Sequence, residues 1–129
     1  MNVFAASCAA LKTVCPENSF IIRKAEKDDA EAIKSIIDVS FRIYMEKAGL
    51  TGTMEALEET VEDIERDIEN KEVYIAFVDG EPAGTIRVET RPDGTAYISR
   101  FGVKPGYNNL GIGSSLINRV EDYLKTRSV

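Results

Sequence analysis

Between residues 96 and 124 the chain passes from an apolar strand through a proline-glycine turn into an amphipathic helix with glycines at its opening. The strand reads Ala96-Tyr97-Ile98-Ser99-Arg100-Phe101-Gly102-Val103, the turn Lys104-Pro105-Gly106-Tyr107, and the helix opening Asn108-Asn109-Leu110-Gly111-Ile112-Gly113-Ser114. From Ser115 onward the period is helical: Leu116, Ile117, Val120, Tyr123 and Leu124 fall on one face, with Asn118, Arg119, Glu121, Asp122 and Lys125 mostly opposite. The first turn of any helix leaves backbone N–H groups unpartnered, and the macrodipole adds positive potential there, so an anion can be held without basic side chains. Gly111 and Gly113 remove the β-carbons that would keep a pyrophosphate off the main chain, and Gly106 permits a tight turn after Pro105. A Rossmann fingerprint needs a third glycine and a later acidic residue, and a nucleotide P-loop ends in Gly-Lys-Ser/Thr; neither pattern is present.

The elements ahead of this segment are legible in the same way. Phe20 to Ala25 reads as a first strand, followed by an acidic helix cap at Glu26-Lys27-Asp28-Asp29. Ile33, Ile36, Ile37, Phe41 and Tyr44 form the stripe of a first helix running to about Lys47, where Ala48 to Gly52 breaks it. Met54, Leu57, Val61, Ile64 and Ile68 continue in three-four spacing, which predicts one helix from Thr53 to Glu69. Its other face carries Glu55, Glu58, Glu59, Glu62, Asp63, Glu65, Asp67 and Glu69; an attractant for cations and an ordinary solvated face both fit, and the second is the commoner case. Strands at Val73–Val78 and Ala83–Glu89 join through Asp79-Gly80-Glu81-Pro82, and Arg91-Pro92-Asp93-Gly94-Thr95 turns the chain into the strand at Ala96, giving an antiparallel meander.

A chain of 129 residues with 43% hydrophobic content supports one domain with a single core of ordinary density. It has no histidine, which removes the commonest general base and every Ser-His or Cys-His arrangement. Cys8 and Cys15, without histidine, fall short of a zinc set, so no metal is expected. A net charge of −6 argues against nucleic-acid binding and fits cationic partners such as amines. The longest apolar stretch, Val3 to Leu11, is too short to span a bilayer and lacks the basic lead of a secretory signal, so the expected location is cytoplasmic, with no membrane role.

The segment from Val103 through Leu116 closely resembles the signature of the GNAT superfamily of acyl-CoA N-acyltransferases, Arg/Gln-x-x-Gly-x-Gly/Ala at the start of a helix that follows an apolar strand. Asn108 stands where the family usually has Arg or Gln, so a side-chain contribution to phosphate binding is weaker there. Phe20 to Ala25 and the acidic cap after it also match the way family members open. The resemblance implies an α/β (α+β) fold with a mixed, mostly antiparallel sheet in the order β-α-α-β-β-β-α, spanning residues 19–129, with residues 1–18 as an extension of no counterpart. It implies acetyl-CoA as co-substrate, with pantetheine along Phe101, Gly102 and Val103 and pyrophosphate on the turn and helix start formed by Asn108, Asn109, Leu110, Gly111, Ile112, Gly113 and Ser114. Tyr44, Met45 and Glu46 become candidate neighbours of the acceptor.

The reaction so implied is direct attack of a neutral amine on the thioester, with backbone N–H groups near Phe101 and Gly102 polarising the carbonyl. Family members often carry a glutamate base on the fourth strand; here that position is Tyr97, a residue type that ordinarily keeps its proton at neutral pH, and Glu89 on the preceding strand is the nearest carboxylate. A water chain through Ser99 is a further route, and Glu89 and Tyr97 as plain strand-face residues fit equally. The chain stops where the family continues with a fifth strand, another helix and two further strands, so the fold is expected to be truncated after the cofactor helix. The strand from Ala96 to Val103 would then keep an open edge, and a homodimer or other self-association is expected. Three functions stay open: an N-acetyltransferase acting on a small amine or a protein amino group, a CoA-binding module without catalysis, and a truncated fragment.

Overall fold

A computed structural model describes residues 20–50, 54–108 and 110–127. The expected extension, residues 1–18 with both cysteines, and Asn109 lie outside the described residues.

Strand β1 (Phe20–Lys24) leads through a single 3-10 turn (Lys27–Asp29) into helix α1 (Ala30–Ala48), which ends on Gly49 in the left-handed conformation. Helices α2 (Glu55–Glu58) and α3 (Val61–Asn70) follow, then strands β2 (Glu72–Val78), β3 (Glu81–Thr90) and β4 (Ala96–Val103), and helix α4 (Ile112–Thr126). The four strands form one sheet in the order β1-β2-β3-β4, antiparallel throughout. This is the mixed α/β architecture expected from the sequence, with β4 outermost among the described strands.

The sheet is covered on both faces. Val73 and Ile75 of β2 point to one side, where they pack with Ile33, Ile36 and Ile37 of α1 and Ile64 and Ile68 of α3. Tyr74, Ala76 and Val78 point to the other, joining Ile86 and Val88 of β3 and Ile112, Leu116 and Val120 of α4. A strand buried on both faces has no polar side to alternate, which is why β2 reads as a nearly unbroken apolar run.

One sequence expectation is corrected. The single helix expected over Thr53–Glu69 is two helices, separated at Glu59 and Thr60, where both residues are extended. The apolar spacing continues through the break and hides it. Its local cause is the start signal of α3: Thr60 Oγ1 accepts from the Asp63 N–H (3.1 Å), and Asp63 Oδ2 accepts from the Thr60 N–H (3.0 Å). This capping box satisfies two donors that an uninterrupted helix would pair elsewhere. The extended Glu59 is turned inward onto β3 and β4, so it does not lie on a solvated helix face.

Candidate functional site

β4 and α4 are joined by a turn through Pro105 and Gly106, the latter with φ +90°. Gly111, with φ +84°, is the residue that turns the chain into α4, a conformation that side chains with a β-carbon adopt at a cost. Among the described residues no side chain caps the helix, and the Gly111 carbonyl accepts from Ser115 N–H at 3.0 Å. The N–H groups of Ile112, Gly113 and Ser114 are therefore those left over by helix geometry. These three residues border a groove of about 610 Å³ whose described lining is Phe101, Gly102, Val103, Tyr107, Asn108, Gly111, Ile112, Gly113 and Ser114.

Most of the residues expected to bind a cofactor are thus brought together in one place. Leu110 is the exception among those described: it packs into the core beneath α4 and does not line the groove. Ile112 buries its side chain, so it presents main chain to the groove. Tyr107 lines the groove and was not singled out in the sequence; its signal was an aromatic placed directly after a Pro-Gly turn. Among the described residues no lining side chain is charged, so an anion bound here would rest on backbone amides and the helix dipole. The Phe101 ring covers the helix start closely enough that a β-carbon on Gly113 would come within 3.3 Å of its Cζ.

On the opposite face of β4, a cavity of about 430 Å³ is lined by Ser40, Phe41 and Tyr44 of α1, Met54, and again Phe101, Gly102 and Val103. Grooves on both faces of the sheet therefore meet at the same three residues of β4. Of the residues expected near an acceptor, Tyr44 lines this cavity and is exposed, Glu46 is exposed, and Met45 is buried in the protein.

The expected catalytic pair lies elsewhere. Glu89 and Tyr97 are register partners on β3 and β4, near the end of the sheet remote from the glycine turn. Glu89 sits 3.9 Å from Lys71, and the Arg91 guanidinium stacks 4.9 Å over the Tyr97 ring. Neither lines the groove. Tyr97 borders a third cavity of about 380 Å³ together with Ser99, Arg100, Arg87 and the carboxylates Glu55, Glu58, Glu59, Asp63 and Asp67. Arg87 is 1% exposed; its Nη1 donates to Glu59 Oε2 (2.8 Å) and Asp67 Oδ2 (2.7 Å), and its Nη2 to Glu59 Oε1 (3.2 Å). The sequence signal for it was a lone charge inside the apolar run Ile86-Arg87-Val88. Among the described residues no cluster of three or more Cys, Asp or Glu has metal-holding geometry, and no helix is long and apolar enough to cross a membrane.

Residues 31–129 match the model of the acetyltransferase (GNAT) family. The chain belongs to that family. Acyl transfer is accordingly the class of chemistry its fold serves. Solved GNAT relatives share the fold at low identity. The PaiA N-acetyltransferase of Thermoplasma acidophilum, in complex with coenzyme A, superposes with a TM-score of 0.75 at 23% identity, covering 86% of this chain and 75% of that one. A GNAT acetyltransferase of Staphylococcus aureus gives 0.69 at 18% identity, covering 86% and 70%. A predicted acetyltransferase of Clostridium acetobutylicum with acetyl-CoA gives 0.63 at 16% identity, covering 86% and 77%. Among curated proteins no match is found.

Proposed function

We propose that this GNAT protein is an acetyl-CoA-dependent N-acetyltransferase that passes the acetyl group directly to a primary amine. The observation that carries the proposal is the start of α4, which among the described residues has no side-chain cap and opens on a groove with no charged lining side chain. A pyrophosphate carries several acceptor oxygens, and main-chain N–H groups at a helix N-terminus suit it without a lysine or arginine. Solved relatives of the same fold hold coenzyme A or acetyl-CoA, which supports the same ligand class here. Pantetheine would run along Phe101 to Val103, and the thioester would reach the point where the two grooves meet.

In this reading the acceptor enters from the α1 side, past Phe41 and Tyr44. Its neutral nitrogen attacks the thioester carbonyl carbon, and backbone N–H groups near Phe101 and Gly102 stabilise the oxyanion. Collapse breaks the C–S bond, the thiolate leaves and takes up a proton, and the nitrogen gives up its own. We assign amine deprotonation to a water chain past Ser99 that ends on Tyr97 or Glu89, since both lie too far along the sheet from the meeting point of the grooves to reach the amine directly. Replacing Glu89 by Gln and Tyr97 by Phe tests this: the pH profile of kcat/KM should lose its lower-pH limb in one of them, and two unchanged profiles would remove both from the mechanism.

The whole proposal is tested by calorimetry with acetyl-CoA, followed by thiol release with a panel of primary amines. Saturable binding with amine-dependent release is expected. Binding with no release for any amine would favour a CoA-binding module, and no binding would reject the cofactor assignment. We also infer self-association through the outer edge of β4, which carries the exposed Tyr97, Ile98 and Phe101. Light scattering across a dilution series should show a concentration-dependent mass, and a monomer at every concentration would contradict it.

A further inference from the structure

β4 is not a regular strand. Ser99 pairs with Arg87, but Gly102 pairs with Thr85, so two residues of β4 stand against one of β3. The irregularity is a β-bulge, and Arg100 occupies it with φ +52°, a left-handed conformation in which the usual occupant of a bulge is glycine. A bulge changes which face each following side chain points to, because the period of a strand is two. Ser99 and Arg100 consequently border the same cavity beside α2 and α3, and the next residues are shifted by one step. Phe101 turns to the α4 side, against Gly113, and Gly102 turns to α1, where a β-carbon would meet Ser40 Oγ at 2.5 Å. In an unbulged strand Phe101 would face α1 and the position of Gly102 would face α4. The mouth of the cofactor groove therefore depends on a strained arginine.

What holds that arginine is visible on the α2 side. Its Nε lies 3.5 Å from Glu59 Oε1 and its Nη2 3.8 Å from Glu55 Oε1. Glu59 is itself fixed by the two-pronged contact from buried Arg87, with a side chain only 9% exposed. Glu55, at 90% exposed, is the loose member. The order of dependence runs from Arg87, anchored in β3, to Glu59 at the break between α2 and α3, to Arg100 in the bulge.

We propose that Glu59 is a positioning residue for the acyl-CoA groove: by pairing with Arg100 it holds the β4 bulge in the phase that turns Phe101 onto the start of α4. The proposal rests on the cofactor reading above for its binding consequence, and on the bulge alone for its conformational one. Glycine provides the discriminating substitution. Arg100→Ala removes the ion pair and keeps the conformational cost, whereas Arg100→Gly removes both, so alanine should lose the bulge and glycine should retain it.

The experiment measures acetyl-CoA affinity and the ligand-free 15N–1H amide spectrum for Arg100→Ala, Arg100→Gly, Glu59→Gln and the Glu59→Gln/Arg100→Gly double variant. Arg100→Ala should weaken binding by about tenfold, as expected for release of a strained backbone position, and shift the Gly102 and Gly113 amides. Arg100→Gly should return both to near wild type. Glu59→Gln should resemble Arg100→Ala alone and add less than about twofold once residue 100 is glycine, the non-additivity expected of one linked unit. Equal behaviour of the alanine and glycine variants, or a Glu59→Gln effect undiminished in the glycine background, would overturn the proposal. Should Glu59→Gln fail to fold because Arg87 keeps only Asp67 as a carboxylate partner, the two Arg100 variants still decide. Should the wild type not bind acetyl-CoA, the functional reading fails, and the amide spectra judge the clamp on their own.

Discussion

α3 and α4 lie on opposite faces of the same sheet and begin in opposite ways. α3 starts at Thr60 with a reciprocal capping box and two acidic residues in its first turn, Glu62 and, at the third position, Asp63. α4 starts at a left-handed Gly111 with no side-chain cap among the described residues and no acidic residue in its first turn. Both helices have the same orphan donors and the same dipole. In α3 the protein's own oxygen atoms answer them; in α4 the donors are left to a groove. A helix start satisfied from within adds to stability, while one left open on a groove is available to an external anion, and the third position, Asp63 in one and Ser114 in the other, marks the difference.

The largest expected effect comes from making α4 begin like α3. Ser114 is exposed at the third position, so Ser114→Asp introduces a carboxylate that suits the dipole and repels a pyrophosphate. Acetyl-CoA affinity should fall by at least about thirtyfold, roughly 2 kcal/mol, while the melting temperature holds or rises slightly; calorimetry and a thermal melt read the two opposite signs. Gly111→Ala separates the conformational cost from the ligand effect. Its β-carbon would meet nothing within 4 Å, so the cost is confined to the backbone at φ +84°, of order 1–2 kcal/mol in a denaturant titration. Breaking the cap of α3 by Thr60→Ala should lower stability by about 1 kcal/mol and leave acetyl-CoA affinity unchanged. A change in affinity there would mean that the two helix starts are not independent.

The smallest effect is in the acid range. Hydrogen bonds from Thr60, first from its N–H and then from its hydroxyl, hold the Asp63 carboxyl below its ordinary value. The Arg23 guanidinium does the same for Asp29, with bonds of 2.7 and 3.0 Å. A depressed folded pKa contributes stability above the ordinary carboxylate value near 3.8, and that contribution is lost as pH falls through the lower folded value. Melting temperatures should therefore decline from about pH 4 downward, and Thr60→Ala should flatten part of that decline. An identical acid profile in the variant would remove Asp63 from the explanation.

How much of this could be read from the sequence differs by region. The hairpin turns at Asp79-Gly80 and around Asp93-Gly94, the apolar alternation of the strands, and the glycines at 106, 111 and 113 carry local signals, and the meander and groove follow from them. The break between α2 and α3 does not show, because Leu57, Val61 and Ile64 keep helical spacing across it, and Thr60-x-x-Asp63 is a short motif inside an acidic run. The bulge at Arg100 is invisible for a different reason. Arginine gives no sign of a left-handed backbone, and the contacts that hold it join residues 28 and 41 positions apart in the chain. Glu59 and Asp67 read as members of a charged helix face, and only the packing of α2 and α3 over β3 turns them into partners of a buried arginine.

The central claim, that the open start of α4 receives the pyrophosphate of acetyl-CoA, is tested most directly by following backbone amides during a titration with acetyl-CoA. The N–H signals of Ile112, Gly113 and Ser114 should show the largest shifts, with those of Val61, Glu62 and Asp63 at the start of α3 unmoved. Saturable binding that leaves the α4 amides in place, or that moves the α3 amides instead, would contradict the account.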